Sequence, residues 1–185
     1  KITPEKLEKV FNDNPGNKMI IFNNPCNPTG IAYTKTEVKL LSNILKKHNC
    51  IVMSDEIYLN LVHDNSSISI AEYIPELTIR GSSVSKDLAC GGYRLGWLVF
   101  PNNLKKLYQK CSCIASSIYS CASTPIQYAV SDMLSNYKLC SNYFNKNKNI
   151  YKLVVKEVDK LLKTTDLMYV YPNSAWYIFL NFTNY

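Results

Sequence analysis

Lys86 ends the stretch Gly81-Ser82-Ser83-Val84-Ser85-Lys86, and Arg94 follows eight residues later in Gly92-Tyr93-Arg94-Leu95-Gly96-Trp97. A lysine amine captures a carbonyl as a Schiff base, although the free protonated amine is a poor nucleophile at neutral pH. Arginine offers a phosphate a planar two-pronged donor that lysine cannot supply. Arg94 is one of only two arginines among the 21 basic residues, which makes its position stand out. Ser83 and Ser85 add hydroxyl donors. Gly91-Gly92 lets the backbone pass close to a bound group. Upstream, Ser54-Asp55-Glu56-Ile57-Tyr58 supplies a carboxylate suited to a charge-assisted hydrogen bond, with a phenol three residues on. Asn27, in Asn24-Pro25-Cys26-Asn27-Pro28-Thr29-Gly30, supplies an amide donor between two prolines.

These residues need elements to bring them together. Thr3–Phe11 reads as a helix. Lys18–Phe22 is a short apolar run ending in Asn-Pro turns, which predicts a buried strand. Thr34–Lys47 predicts a helix with Thr34 as cap, Glu37 completing a capping box, and Val38, Leu41, Ile44 and Leu45 as its apolar stripe. Cys50–Met53, Leu77–Ser82 and Trp97–Phe100 predict three further strands, the last stopped by Pro101. Apolar strands separated by helices imply an α/β architecture with a mostly parallel sheet. Asn27, Asp55 and Lys86 each follow a strand, which puts them at carboxyl ends, the edge along which open α/β sheets bind ligands. Arg80 lies within a strand leading to that edge. Glu56 points away from Asp55 and reads as structural, and Trp97 reads as core.

After Asn102 the pattern turns helical. Leu104, Leu107, Cys111 and Ile114 form one periodic face. Pro125 opens a second helix with Ile126, Ala129, Val130 and Met133 inward. A third helix covers Ser141–Lys163, with Tyr151, Val154, Val155, Val158, Leu161 and Leu162 as its stripe. Leu167–Val170 and Ala175–Leu180 predict two strands of a smaller unit, joined by a turn at Pro172-Asn173-Ser174.

The 185 residues carry a net charge of +7 from 21 basic and 14 acidic residues. The lysines are scattered, with no run longer than a pair, so nucleic-acid binding is not expected. No stretch approaches the ~18 apolar residues of a membrane span, and no signal peptide is seen. Seven cysteines without a Cys-x-x-Cys motif read as free thiols in a cytoplasmic setting. The two histidines, His48 and His63, belong to no ligand motif, so no metal site is expected.

Taken in order, the four motifs around Asn27, Asp55, Lys86 and Arg94 resemble the pyridoxal 5'-phosphate (PLP) aminotransferases of class I/II, which have the aspartate aminotransferase fold, fold type I. The resemblance implies PLP held on Lys86 as a Schiff base. It implies Asp55 against the protonated pyridine nitrogen, and Tyr58 and Asn27 as donors to the phenolate oxygen. Arg94, Ser83 and Ser85 would bind the phosphate. Lys86, Asp55 and Tyr58 would be catalytic, an amino acid and a 2-oxo acid the substrates, and a homodimer the assembly. Residues 1–140 would be part of the PLP-binding large domain, and 141–185 the interdomain helix and a partial C-terminal small α+β domain. Departures from the family pattern fall at Val84, Ala89, Tyr93 and Ser174, and none removes a reacting group.

The resemblance covers nearly the whole chain but only a middle-to-late part of the family pattern. A glycine/serine-rich turn and a ring-stacking aromatic would lie before Lys1, and a substrate-carboxylate arginine beyond Tyr185. Residues 1–185 alone are therefore expected to be inactive. Two alternatives are a PLP-dependent C–S lyase of the same fold and a non-catalytic interaction module derived from it.

Overall fold

Local signals build the first half of the chain much as its pattern predicts. The computed structural model describes residues 1–183. Helix α1 (Pro4–Asp13) starts where the Thr3 side chain accepts from the Lys6 backbone amide, with Pro4 at its first position. Helix α2 (Lys35–Lys47) carries the full capping box: Thr34 accepts from the Glu37 amide, and the Glu37 carboxylate accepts from the Thr34 amide. Strands β1 (Met19–Asn23), β2 (Ile51–Asp55), β3 (Thr78–Ser83) and β4 (Gly96–Val99) form one sheet in that spatial order. The first three run parallel and β4 is antiparallel to β3.

Helices α1 and α2 cover one face of the sheet. Leu7, Phe11, Phe22, Val38, Leu41, Leu45, Cys50 and Val52 form that core, with Ile70, Ile74 and Leu77 closing it. Ile44, expected in the α2 stripe, is only partly buried at its margin. The prediction of a fully buried first strand is corrected. β1 is an edge strand, with Phe22 buried and Ile21 75% exposed. Its uniform apolar run hid a period of two, because only one of its faces meets helices.

The helical half packs more loosely. Helices α3 (Lys105–Tyr119) and α4 (Thr124–Ser135) bury no residue fully. Ile114 and Ala129, expected inward, are exposed, and Ala115 replaces Ile114 on the packed side of α3. Helix α5 (Tyr137–Leu162) begins four residues earlier than predicted, where the Asn136 side chain accepts from the Leu139 amide. Its packed line is Cys140, Phe144, Tyr151, Val155, Asp159 and Leu162. Val154, Val158 and Leu161, expected in the stripe, are exposed. The sequence had apolar residues on two adjacent faces, and only the side meeting the turn at residues 59–61 is covered.

Strands β5 (Met168–Tyr169) and β6 (Leu180–Asn181) pair antiparallel. The strand expected over Ala175–Leu180 therefore shrinks to its end. Ala175 has a left-handed φ of 52°, which breaks the extended run. The segment instead docks back on the first half of the chain, with the Ala175 amide donating to Leu61 O and Ser174 forming a bridge to Val62.

Candidate active site

Parallel pairing aligns the carboxyl ends of β1, β2 and β3, and the candidate residues collect there. Asp55 is the last residue of β2 and pairs in register with Asn23 of β1 and Gly81 of β3. Its Oδ2 accepts from Asn23 Nδ2 at 3.0 Å and its Oδ1 from the Ile57 amide at 3.3 Å. Asn23 also accepts the Asn27 amide on its own Oδ1 at 2.8 Å. One amide side chain therefore aims the carboxylate and fixes the start of the Asn27 turn. Asn23 was missed in the sequence. Its only signal was an amide at a strand exit, four residues before Asn27.

Tyr58 is buried, three residues beyond Asp55. Its hydroxyl lies 2.6 Å from the hydroxyl of Tyr177 and also bonds the Asn27 side chain. Burial pushes the Tyr58 phenol up from its ordinary pKa. The Tyr177 hydroxyl adds to that rise and Asn27 opposes it. Lys86 is half-buried, three residues after β3 ends. Its Nζ has no hydrogen bond or ion pair among the described residues and lies 5.8 Å from the Trp176 ring centroid. Trp176 in turn packs on Tyr58, Tyr151 and Tyr177, with centroids 5.6, 4.7 and 5.4 Å apart. The lysine amine thus stands free beside an aromatic cluster whose Trp176 and Tyr177 the sequence had given to a strand.

The next residue ties the lysine loop down. Asp87 is buried, accepts from Asn60 Nδ2 at 2.7 Å, and offers its backbone carbonyl to Asn147 of α5 at 2.8 Å. Burial holds its carboxyl above the usual carboxylate range.

Ser83, Asp55 and Arg94 line a cleft of ≈ 720 Å³ between the sheet and α3. Trp97 lines it too, so it is not the core residue expected. The Ser83 Oγ accepts from the Ser85 amide at 3.0 Å and keeps its own proton available. Arg94 is exposed and left-handed, with φ 53°. Its Nη1 donates to Gly91 O at 2.8 Å, and its other guanidinium nitrogens have no partner among the described residues. Asn27, Tyr58, Ser85 and Lys86 lie outside the cleft lining, with Tyr58 and Lys86 against the aromatic cluster. Asp55 belongs to both groups. Ala89, one of the departures, also adopts a left-handed φ of 54°, the conformation in which glycine would carry no penalty.

Two neighbours of Asp55 and Tyr58 are structural. Glu56 is buried and accepts from Ser54, Ser69 and both Nε and Nη2 of Arg80, the latter two at 2.9 and 2.8 Å. This explains both Glu56 and Arg80 without chemistry, as the sequence suggested. Among the described residues no cluster of three metal-ligating side chains exists, and no helix is long and apolar enough to cross a membrane.

The Asn-Pro-Thr-Gly turn and the segment 172–177 lock together. Gly30 has φ +67°, and a Cβ there would meet Tyr177 O at 2.5 Å and Pro172 Cβ at 2.8 Å. Its carbonyl accepts from both the amide and the hydroxyl of Ser174. Gly30→Ala combines a left-handed penalty with overpacking and is expected to destabilise by about 2–4 kcal/mol. Gly92→Ala, with nothing within 4 Å of its Cβ, serves as a near-neutral control. Equal melting temperatures for the two variants would contradict the locked turn.

His63 seals the other side of this segment. Its Nε2 lies 2.8 Å from Ala175 O. Burial lowers its pKa, Lys152 and Lys148 of α5 lower it further, and the Ala175 carbonyl and Asp64 oppose the fall. The folded state therefore binds fewer protons than the unfolded chain, whose histidine titrates near ~6.5. Stability contributed here is present above that pH and is lost as pH falls below it. Between pH 7.5 and pH 5 the wild type should lose more melting temperature than His63→Gln, which keeps a donor for Ala175 O. Parallel losses would remove His63 as the cause.

The whole of residues 1–185 matches the family model described as aminotransferase class I and II. The aspartate aminotransferase of Geobacillus stearothermophilus is 33% identical over 189 residues, covering 98% of this chain and 45% of the enzyme. The glutamate-pyruvate aminotransferase AlaA of Escherichia coli is 30% identical, covering 89% of this chain and 42% of the enzyme. Among solved structures, the aromatic aminotransferase of Pyrococcus horikoshii superposes with a TM-score of 0.85 at 30% identity, over 97% of this chain and 48% of that one. An aspartate aminotransferase of Thermus thermophilus gives 0.88 at 24% identity, over 97% of this chain and 46% of that one, a likeness of fold. The chain spans less than half the length of these relatives.

Proposed function

The chain belongs to the class I and II aminotransferases, and from that premise we propose that its full-length protein transfers an amino group between an amino acid and a 2-oxo acid with PLP. The observation that carries this reading is the gathering of Asp55, Ser83 and Lys86 at or just beyond the carboxyl ends of parallel β2 and β3, with Asn27 and Tyr58 bonded beside them. The donor set fits the aldehyde, the ring nitrogen, the phenolate and the phosphate of PLP. Lys86 offers a free amine to an aldehyde. Asp55 offers a carboxylate, already aimed by Asn23, to a ring nitrogen. Tyr58 and Asn27 offer donors to a phenolate, and Arg94 with Ser83 and Ser85 offers donors to a phosphate.

When bound, PLP supplies a carbonyl that exchanges with amino groups and an electron sink for the charge left when the substrate loses its α-proton. The protein's part is binding, orientation and proton movement. Lys86 Nζ would hold the group and, when free, would carry the α-proton. Asp55 keeps the ring nitrogen protonated through a charge-assisted bond. Arg94 would hold the phosphate end with its unused guanidinium nitrogens.

The same proposal includes a division near residue 140, with α5 joining a large domain to a small one. It includes a homodimer, in keeping with the exposed apolar side chains Ile118, Tyr119 and Tyr128 on α3 and α4. It also includes a cytoplasmic setting, in keeping with seven free thiols. The relatives named above are all aminotransferases, which favours transfer over C–S lyase chemistry.

The test is to incubate the full-length protein with PLP, a panel of amino acids and a 2-oxo acid, and to follow new amino acid by chromatography. PLP-dependent formation of a new amino acid is expected. Ammonia or thiol release without it would indicate a lyase, and neither product would indicate a non-catalytic module.

A further inference from the structure

Tyr58 and Tyr177 are 119 residues apart in the chain, and their hydroxyl oxygens are 2.6 Å apart. We propose that Tyr177 is a positioning residue: it donates its phenolic proton to the Tyr58 oxygen and so aims the Tyr58 proton at the bound cofactor. The inference rests on the reading of the site given above and adds a residue to it.

A phenol has one proton to give and two lone pairs with which to accept. Asn27 already bonds the Tyr58 hydroxyl, and its side-chain amide has N–H donors to give. With Tyr177 as a second donor, both acceptor positions of Tyr58 are filled. Its proton then has one direction left, away from both partners. Without Tyr177, the O–H rotates between the ligand and an empty lone-pair direction.

Three observations put the donor role on Tyr177. A 2.6 Å contact between two hydroxyls needs one proton, and where Tyr58 gives its only proton to the cofactor, Tyr177 must supply it. The Tyr177 hydroxyl has no other hydrogen-bond partner among the described residues. The rings meet edge to face, at 5.5 Å and 81°, a geometry that resists sliding.

The backbone holds this arrangement firmly. Gly30 has no side chain where the Tyr177 carbonyl passes, and its own carbonyl accepts from Ser174 at 3.0 and 2.8 Å. Gly30 closes the same turn that carries Asn27. One turn therefore places both donors to Tyr58, one directly and one through the segment docked on it.

The test uses full-length protein loaded with PLP and reads the midpoint of the bound cofactor's visible absorbance change with pH. Wild type, Tyr177→Phe, Tyr58→Phe and the double variant are compared, with thermal melting in the same buffers. Donation to the phenolate lowers that midpoint, so Tyr58→Phe raises it. Tyr177→Phe should raise it by a smaller step, about half a unit, the scale of one neutral hydrogen bond. The double variant should match Tyr58→Phe alone, because Tyr177 acts only through Tyr58. An unchanged midpoint in Tyr177→Phe, even with a lower melting temperature, overturns the proposal. So does a lowered midpoint, which would mean that Tyr58 had been donating to Tyr177, or a shift that adds in full to that of Tyr58→Phe. A wild-type protein with no visible band defeats the reading of the site itself, and this proposal with it.

Discussion

Lys86→Ala is expected to lower turnover of the full-length protein by about 10³-fold or more while leaving it folded. Two losses coincide at one atom. The cofactor loses its covalent anchor, and the α-proton loses its carrier, a contribution typically of ~10²–10⁴-fold by itself. The fold should tolerate the change because, among the described residues, Lys86 Nζ makes no hydrogen bond or ion pair, only an approach to the Trp176 ring. Its neighbour Asp87, not Lys86, ties the loop to Asn60 and Asn147. Steady-state kinetics beside a thermal melt check this. Turnover within tenfold of wild type, with the melt unchanged, would remove Lys86 from the chemistry.

Asp55→Ala is expected to retain partial PLP binding through Lys86 and Arg94 but to lower turnover by about 10²–10³-fold. Removing one partner of a sheltered charge pair costs roughly 3–5 kcal/mol, because the other charge is left uncompensated. Here that other charge is the ring proton that makes the α-proton removable. The effect should exceed that of Asn23→Ala, which leaves the carboxylate in place and removes only its aim. Near-normal turnover in Asp55→Ala would refute the assigned role, whatever the variant's affinity for PLP.

Much of this arrangement was legible because local rules fixed it. The capping box at Thr34 and Glu37 formed as written, since both partners lie within one helical turn. The strand-exit positions of Asn27, Asp55 and Lys86 followed from apolar runs ended by turn residues. Glu56, which read as structural, pairs with Arg80. What was not legible depended on distant partners. The packed face of α5 was decided by the turn at 59–61, so Val154 and Leu161 went to the surface although their periodicity matched Val155. The exposed side of β1 depended on what covers an edge strand, which an apolar run cannot tell. Tyr177 and Trp176 read as a strand because nothing local records that the left-handed Ala175 turns them toward Tyr58 and Lys86. Asn23 needed the register of β1 on β2 before its side chain could be placed against Asp55. The site was thus half visible: the groups proposed to touch a cofactor stood out by residue type and position, and those that hold them in place did not.

The covalent anchor is the central claim, and it can be read directly. The full-length protein is loaded with PLP, reduced with borohydride, digested and mapped by mass spectrometry. The account predicts a pyridoxyl group on Lys86 in the peptide containing Ser83-Val84-Ser85-Lys86, and none in Lys86→Ala. A pyridoxyl group on any other of the chain's lysines, or none on this chain at all, would contradict it.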